Sequence, residues 1–290
     1  MRIEPDLAGK KGKQQLEQQP IITAPSEKKP YKAASKNKKR QKKPPPMQTA
    51  IQKLFNTCKE VFSDSRPGFI PSPAAVKLLG SVLDDMKPSD LGLRQSMPYF
   101  RSTDAGAKPP VTYMHLYECD KFSMGIFCLP QNAVIPLHNH PGMTVFSKIL
   151  FGSMHIKSYD WATIIGGGDC SNKESSHFQP HEIKLAKVKS NAVYTAPCDT
   201  SILYPAEGGN IHCFTAVTPV AVLDVLGPPY SDKEGRDCTY YSSFPYPSFS
   251  GGDDLINGDI EGHEWLEERK KPEDFIVVGA RYKGPKFVEK

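Results

Sequence analysis

The sequence is short of every feature that would tie it to a membrane or to a cross-linked scaffold. No run of eighteen apolar residues occurs in its 290 positions, so no segment reads as a spanning helix. Its first residues, MRIEPDLAGKKGK, carry Pro5 and two acids where a secretory leader needs an apolar stretch, and an intracellular protein is expected. The seven cysteines are odd in number, scattered and free of any CxxC pair. That excludes a disulfide framework and a thiolate zinc site, and it suits a reducing compartment. Acids are scarce only at one end. Residues 1–46 hold thirteen Lys/Arg against four Asp/Glu, a balance of +9, whereas the remainder holds 24 against 28, a balance of −4.

That basic segment is rich in Lys, Gln and Pro, lacks periodic apolar residues and ends in KNKKRQKKPPP, so 1–46 is expected to be a disordered tail. Lys38, Lys39, Arg40, Lys42 and Lys43 read as a nuclear import signal, a loose nucleic-acid patch or a solvated charge run with no address. Folding is expected from residue 47 to 290. Ile51, Leu54, Phe55, Cys58, Val61 and Phe62 fall at helical spacing, and Ser72-Pro73 reads as an N-cap and first turn for a second helix carrying Val76, Leu79, Val82 and Leu83. Both read as a packed helical cap. From Thr112 the texture becomes short Val/Ile/Tyr/Phe/Thr runs broken by Gly, Pro and Asn: VTYMHLYE, FSMGIFCL, MTVFSKILFG, MHIKSYDW, EIKLAKVKS, AVYTA, SILYP, IHCFTAV and AVLDVLG. Such a series predicts an antiparallel sandwich or barrel, with FIVVGARY as a returning strand and 166–181 as a mobile hairpin insertion.

Chemistry is concentrated in PLHNHPGM, residues 136–143. On a strand the side chains at i and i+2 share a face, so His138 and His140 are expected to project together. Two imidazoles alone make either a surface pair or part of a metal site, and a third ligand is needed to decide. His115, His155, His177, His181 and His263 have no partner at useful spacing. His212 does: it follows the Pro205, Gly208-Gly209 turn at the start of a strand, from which it could reach the first pair across a barrel mouth. Three neutral imidazoles with open positions describe a catalytic metal site rather than a closed structural one.

These segments resemble the two motifs of the cupin superfamily, the first built on the HxH pair and Gly152, the second on Pro205, Gly208 and His212. Ordinary cupins add a glutamate ligand four or five residues after the HxH, where this chain has Thr144 and Val145. The missing carboxylate matches the thiol dioxygenases. Within that class, IFCLPQNAVIPLHNHPGMTVFSKILFGSMHIKSYDW (126–161) and VLDVLGPPYSDKEGRDCTYY (222–241) are similar to the plant cysteine oxidases, relatives of animal cysteamine dioxygenase.

The resemblance, over residues 47–282, implies a cupin-type jelly roll, ferrous iron on three histidines, and dioxygen as co-substrate. The substrates it implies are proteins with an exposed N-terminal cysteine, of the group VII ethylene response factor type, oxidised to cysteine sulfinic acid as an oxygen signal for the N-degron pathway. It also implies roles for Asp224 in binding the substrate's α-amino group or ordering the metal surroundings, for Tyr230 at the entrance, and for Cys238 near the cavity. By position alone these are equally a strand-end cap, a Gly-Pro-Pro-Tyr turn and a buried thiol. A small-thiol dioxygenase and an inert nuclear cupin are the rival readings; the first, if it took free cysteine, would need an arginine for the carboxylate, and none lies in the strands carrying the histidines. A monomer in nucleus and cytoplasm, without direct nucleic-acid or membrane binding, is expected.

Overall fold

The computed structural model describes residues 48–101, 108–162, 183–246 and 261–289. The basic tail, the 166–181 insertion, His177 and His181 lie outside the described residues. Two helices come first. In α1 (Ala50–Val61) Thr49 caps the N-terminus, and Ile51, Leu54, Phe55, Cys58 and Val61 are all buried, as their spacing predicts. In α2 (Pro73–Asp84) the Ser72 hydroxyl accepts from the Ala75 amide, and Pro73 occupies the first turn, where no intrahelical donor is lost.

Strands follow in two sheets. The first, in order β12-β1-β2-β9-β4-β7, comprises β1 (Val111–Glu118), β2 (Ser123–Leu129), β4 (Thr144–Phe151), β7 (Ser201–Leu203), β9 (Val220–Gly227) and β12 (Val277–Gly279). The second closes on itself in order β10-β11-β6-β5-β8-β3, from β3 (Val134–His138), β5 (Ser153–Trp161), β6 (Ile183–Thr195), β8 (Ile211–Ala216), β10 (Tyr240–Pro245) and β11 (His263–Arg269). Among the described residues, every strand pairing is antiparallel except that of β1 with β12. The mainly β jelly-roll expectation, with helices on one side, holds.

Three expectations change in detail. EIKLAKVKS and AVYTA are one strand, because β5 supplies a continuous partner from Ser153 to Trp161. FIVVGARY keeps only three strand residues, the length over which β1 pairs it. The segments of β10 and β11 were not expected as strands, since Ser, Pro and Glu dilute them, and the expected strand through the HxH pair ends at His138, short of His140.

Strand β9 shows how the layers are divided. It is buried throughout. Ala221, Leu223 and Val225 pack toward α1 and α2 with Phe62, Leu79 and Ile126, whereas Val220 and Val222 face the space between the sheets with Ile135, Phe214 and Tyr240. Alternation places Asp224 on that inner side too, between Val222 and Leu226. The close approach of α1 needs Gly227, where a Cβ would stand 2.2 Å from Phe62 Cδ1. The turn from β4 to β5 needs Gly152, at φ +86° with a Cβ position 2.1 Å from the Pro219 carbonyl oxygen.

Candidate metal centre

His138 and His212 are direct register partners across β3 and β8. The third imidazole therefore arrives from the adjacent strand, and not across a barrel mouth. His140 lies two residues past the end of β3, so the simple i, i+2 strand geometry does not apply to it. A side chain replaces the ladder there: Asn210 Oδ1 accepts from the His140 amide at 3.0 Å, and Asn210 Nδ2 donates to the His140 carbonyl at 2.9 Å. One ring nitrogen from each of the three buried histidines lies within 4.8 Å of the other two, and His140 Nε2 is 3.1 Å from His212 Nε2. His115 is exposed, and His155 bonds Asn191 at 2.9 Å, so neither joins the cluster.

Hydrogen bonds decide which nitrogen carries each proton. His138 Nδ1 faces the Pro136 carbonyl at 2.8 Å, an acceptor only, so Nδ1 is the donor and Nε2 is bare. The Tyr230 hydroxyl donates to the Asn139 carbonyl at 2.8 Å and accordingly accepts from His140 Nδ1 at 2.9 Å. His212 bonds the Gly209 carbonyl while its Nε2 faces His140. The three Nε2 lone pairs therefore converge with no proton between them. Burial holds His138 near pKa 4 and His140 and His212 well below the ordinary imidazole value, keeping all three neutral. A 3.1 Å separation of facing lone pairs is repulsive when empty, and it matches ligands about 2.1 Å from a shared ion at roughly right angles. The donor set fits a metal, and among the described residues the group is made of imidazoles alone.

Around the imidazoles, Cys238 lies within hydrogen-bonding reach of the Tyr230 and Tyr240 hydroxyls. Burial pushes its thiol up from the ordinary value, so it is not a thiolate at neutral pH. Asp224, 5% exposed, faces the interior from the opposite sheet, on a strand whose register sets it beside Ser147 of β4 and Gly125 of β2. Ser147 bonds its carboxyl, but Oδ1 is buried with no partner. Burial raises its pKa to about 7. Burial holds the Tyr230 hydroxyl well above its ordinary pKa, with Cys238, Tyr240 and Asp224 adding to the rise. Sequence reasoning missed Asn139, Asn210 and Tyr240. Asn139 sits inside the HxH motif and Tyr240 inside DCTYY, yet only their contacts mark them.

Fold and cluster together define a mainly β jelly-roll protein with a three-histidine centre suited to a metal. A family model described as PCO_ADO matches residues 82–287, and the chain belongs to that family. Plant cysteine oxidase 1 of Arabidopsis thaliana is 55% identical over 246 residues, covering 82% of this chain and 80% of the relative. The 2-aminoethanethiol dioxygenase of Mus musculus is 34% identical, covering 77% and 87%. Among solved structures, an RmlC-like cupin from Desulfovibrio desulfuricans aligns over 41% of this chain and 84% of its own length, with 16% identity and a TM-score of 0.27.

Proposed function

We propose that this protein is an iron-dependent thiol dioxygenase of the plant cysteine oxidase type. It oxidises the N-terminal cysteine of regulatory proteins to cysteine sulfinic acid and so reports oxygen to the N-degron pathway. One observation carries the reading: three buried imidazoles gather with their free nitrogens within 4.8 Å of one another, and the other sheet carries Asp224, whose buried Oδ1 has no partner. His138, His140 and His212 would hold the ion. Ferrous iron, when bound, supplies the place where thiolate and dioxygen meet, and three neutral ligands leave its positive charge to favour the thiolate. The reaction balances without a further reductant: sulfur loses four electrons, dioxygen gains four, and both oxygens end on the sulfur.

The chain's own residues do the rest. Asp224 takes the substrate's ammonium through Oδ1, and that cation brings its raised pKa back toward the carboxylate range. An α-amino group blocked by acylation or by a preceding residue has no charge to offer it. Tyr230 orients His140, and the strands carrying Val222, Phe214 and Ile135 keep the interior dry. Free cysteine would also require a cation for its carboxylate. Arg236, on the loop that carries Tyr230 and Cys238, is 6% exposed and already engaged by Pro229 and Glu234.

Group VII ethylene response factors have the required chemistry at their termini, and a monomer acting in cytoplasm and nucleus, the latter through residues 38–43, would meet them. The test is mass spectrometry of a Cys-initiated peptide incubated with iron-loaded protein in air, beside its N-acetylated form and cysteamine. A gain of two oxygen atoms on the free-terminus peptide alone is expected. Oxidation of cysteamine alone would move the assignment to a small-thiol dioxygenase.

A further inference from the structure

Residues 229–239 form the loop that brings Tyr230 and Cys238 to the centre. Most of its crest, Asp232 to Gly235, is exposed, yet Arg236 is only 6% exposed. The guanidinium turns back under the crest: Nε and Nη2 both donate to the Pro229 carbonyl, at 3.2 and 3.1 Å, and Nη1 pairs with the Glu234 carboxylate. Ser231 and Arg236 also exchange both backbone hydrogen bonds, at 3.1 and 3.0 Å. That double exchange already closes the turn. The guanidinium is an addition to it, and burying such a charge costs several kcal/mol unless its hydrogen bonds are well satisfied.

What the guanidinium grips is the peptide unit joining Pro229 to Tyr230. One residue on, the Tyr230 hydroxyl bonds the Asn139 carbonyl and His140 Nδ1. The far end of the loop is tied to the same segment, for Asn139 Oδ1 accepts from the Thr239 amide at 2.9 Å and the Asn139 amide donates to the Thr239 carbonyl at 3.1 Å. The loop is thus fastened to the HxH motif at both ends. Of the three Nδ1 partners, those of His138 and His212 are backbone carbonyls within three residues of the ring, whereas that of His140 is a side chain ninety residues away. His140 alone depends on how this loop is set.

We propose that Arg236 is a positioning residue for the centre: by fixing the Pro229–Tyr230 peptide it keeps the Tyr230 hydroxyl on His140 Nδ1, and thereby keeps His140 Nε2 bare and aimed at the other two imidazoles. This rests on His138, His140 and His212 being metal ligands. A partner that fixes ring orientation and tautomer typically contributes ten- to a hundredfold to metal affinity.

The test is a double-mutant cycle on the full chain with divalent cobalt as the probe, reading affinity and the visible absorption bands. Arg236→Met and Tyr230→Phe should each weaken cobalt binding by about tenfold or more and shift the bands alike. The double variant should bind within about twofold of Tyr230→Phe, because the arginine acts through the tyrosine. Should Arg236→Met not fold, Arg236→Lys, which keeps the charge but loses the paired donation to the Pro229 carbonyl, carries the same cycle. Val61→Ala, in the core under α1, controls for general destabilisation and should lower stability without changing cobalt affinity. Additive losses in the cycle, or wild-type affinity in the Arg236 variant, would overturn the proposal while leaving the metal reading intact. A wild-type chain that bound no cobalt would overturn the metal reading, and the proposal with it.

Discussion

Asp224→Asn should make the metal-free protein more stable in base than in acid relative to wild type, a signature that few substitutions share. In the wild-type fold burial raises this carboxyl from 3.8 to about 7, so the folded state binds a proton that the unfolded chain has released. Stability from this group therefore falls as pH rises: the penalty is absent below about 3.8 and complete above about 7. Roughly three units at 1.36 kcal/mol each give a full penalty of about 4 kcal/mol, of which about 3 kcal/mol develops between pH 4.5 and pH 8. Asparagine removes the charge but leaves an amide poorly partnered in place of the lone Oδ1, at a pH-independent cost of about 1–3 kcal/mol. The variant should thus be near or below wild type at pH 4.5 and above it at pH 8. The measurement is urea unfolding of both metal-free proteins at several pH values, with unchanged m-values as the check on two-state behaviour. The buried histidines, whose pKa values are depressed, destabilise both proteins equally as pH falls from about 6.5 toward 4, so they cancel in the difference. A difference that stays flat between pH 4.5 and pH 8 would refute the argument. With iron and peptide present the same variant should lose turnover, chiefly through a raised KM.

His212→Ala should abolish stoichiometric metal; cobalt at a hundred times its Kd should raise wild-type stability by about 2.7 kcal/mol and leave the variant unmoved. Gly152→Ala should cost at least about 2 kcal/mol, since its Cβ would stand against the Pro219 carbonyl at a left-handed φ, and an unshifted urea midpoint would sink that reasoning. Lys148→Met removes a buried ammonium that bonds Asp84 at 2.8 Å and the Cys198 carbonyl, joining α2 to β4. Burial pushes the Asp84 pKa up, but bonds from Lys148 and Thr200 outweigh it and hold it below 3.8. Asp84 is 39% exposed and keeps its Thr200 donors, so the loss should be about 1–3 kcal/mol, present above about pH 4 and shrinking in stronger acid as Asp84 protonates.

Much of this protein is legible in one dimension. Helical spacing in α1, the Ser72-Pro73 cap of α2 and the Val/Ile/Tyr/Phe/Thr-rich runs of β1, β2, β4 and β5 between turn residues are local signals, because backbone preference and burial act over a few residues. So is the candidate ligand set: His138, His140 and His212 are recognisable by type and flanking turns, and Thr144 and Val145 stand where a glutamate could have been. The strands least legible, β10 and β11, are held by neighbours far along the chain. β10, for instance, pairs with β11 and meets β3 at the single Tyr240–His138 register point.

Residue identity was enough to supply three imidazoles and one carboxyl, since chemistry of that kind is carried by the side chain wherever it lies. Their relation required the fold. Only the pairing of β3 with β8 sets His138 against a residue 74 positions later, only the burial of β9 gives Asp224 an oxygen without a partner, and only the fastening of 229–239 to Asn139 puts Tyr230 on His140. Distances and dehydration between remote segments depend on every strand that separates them, and no short stretch of sequence contains that information.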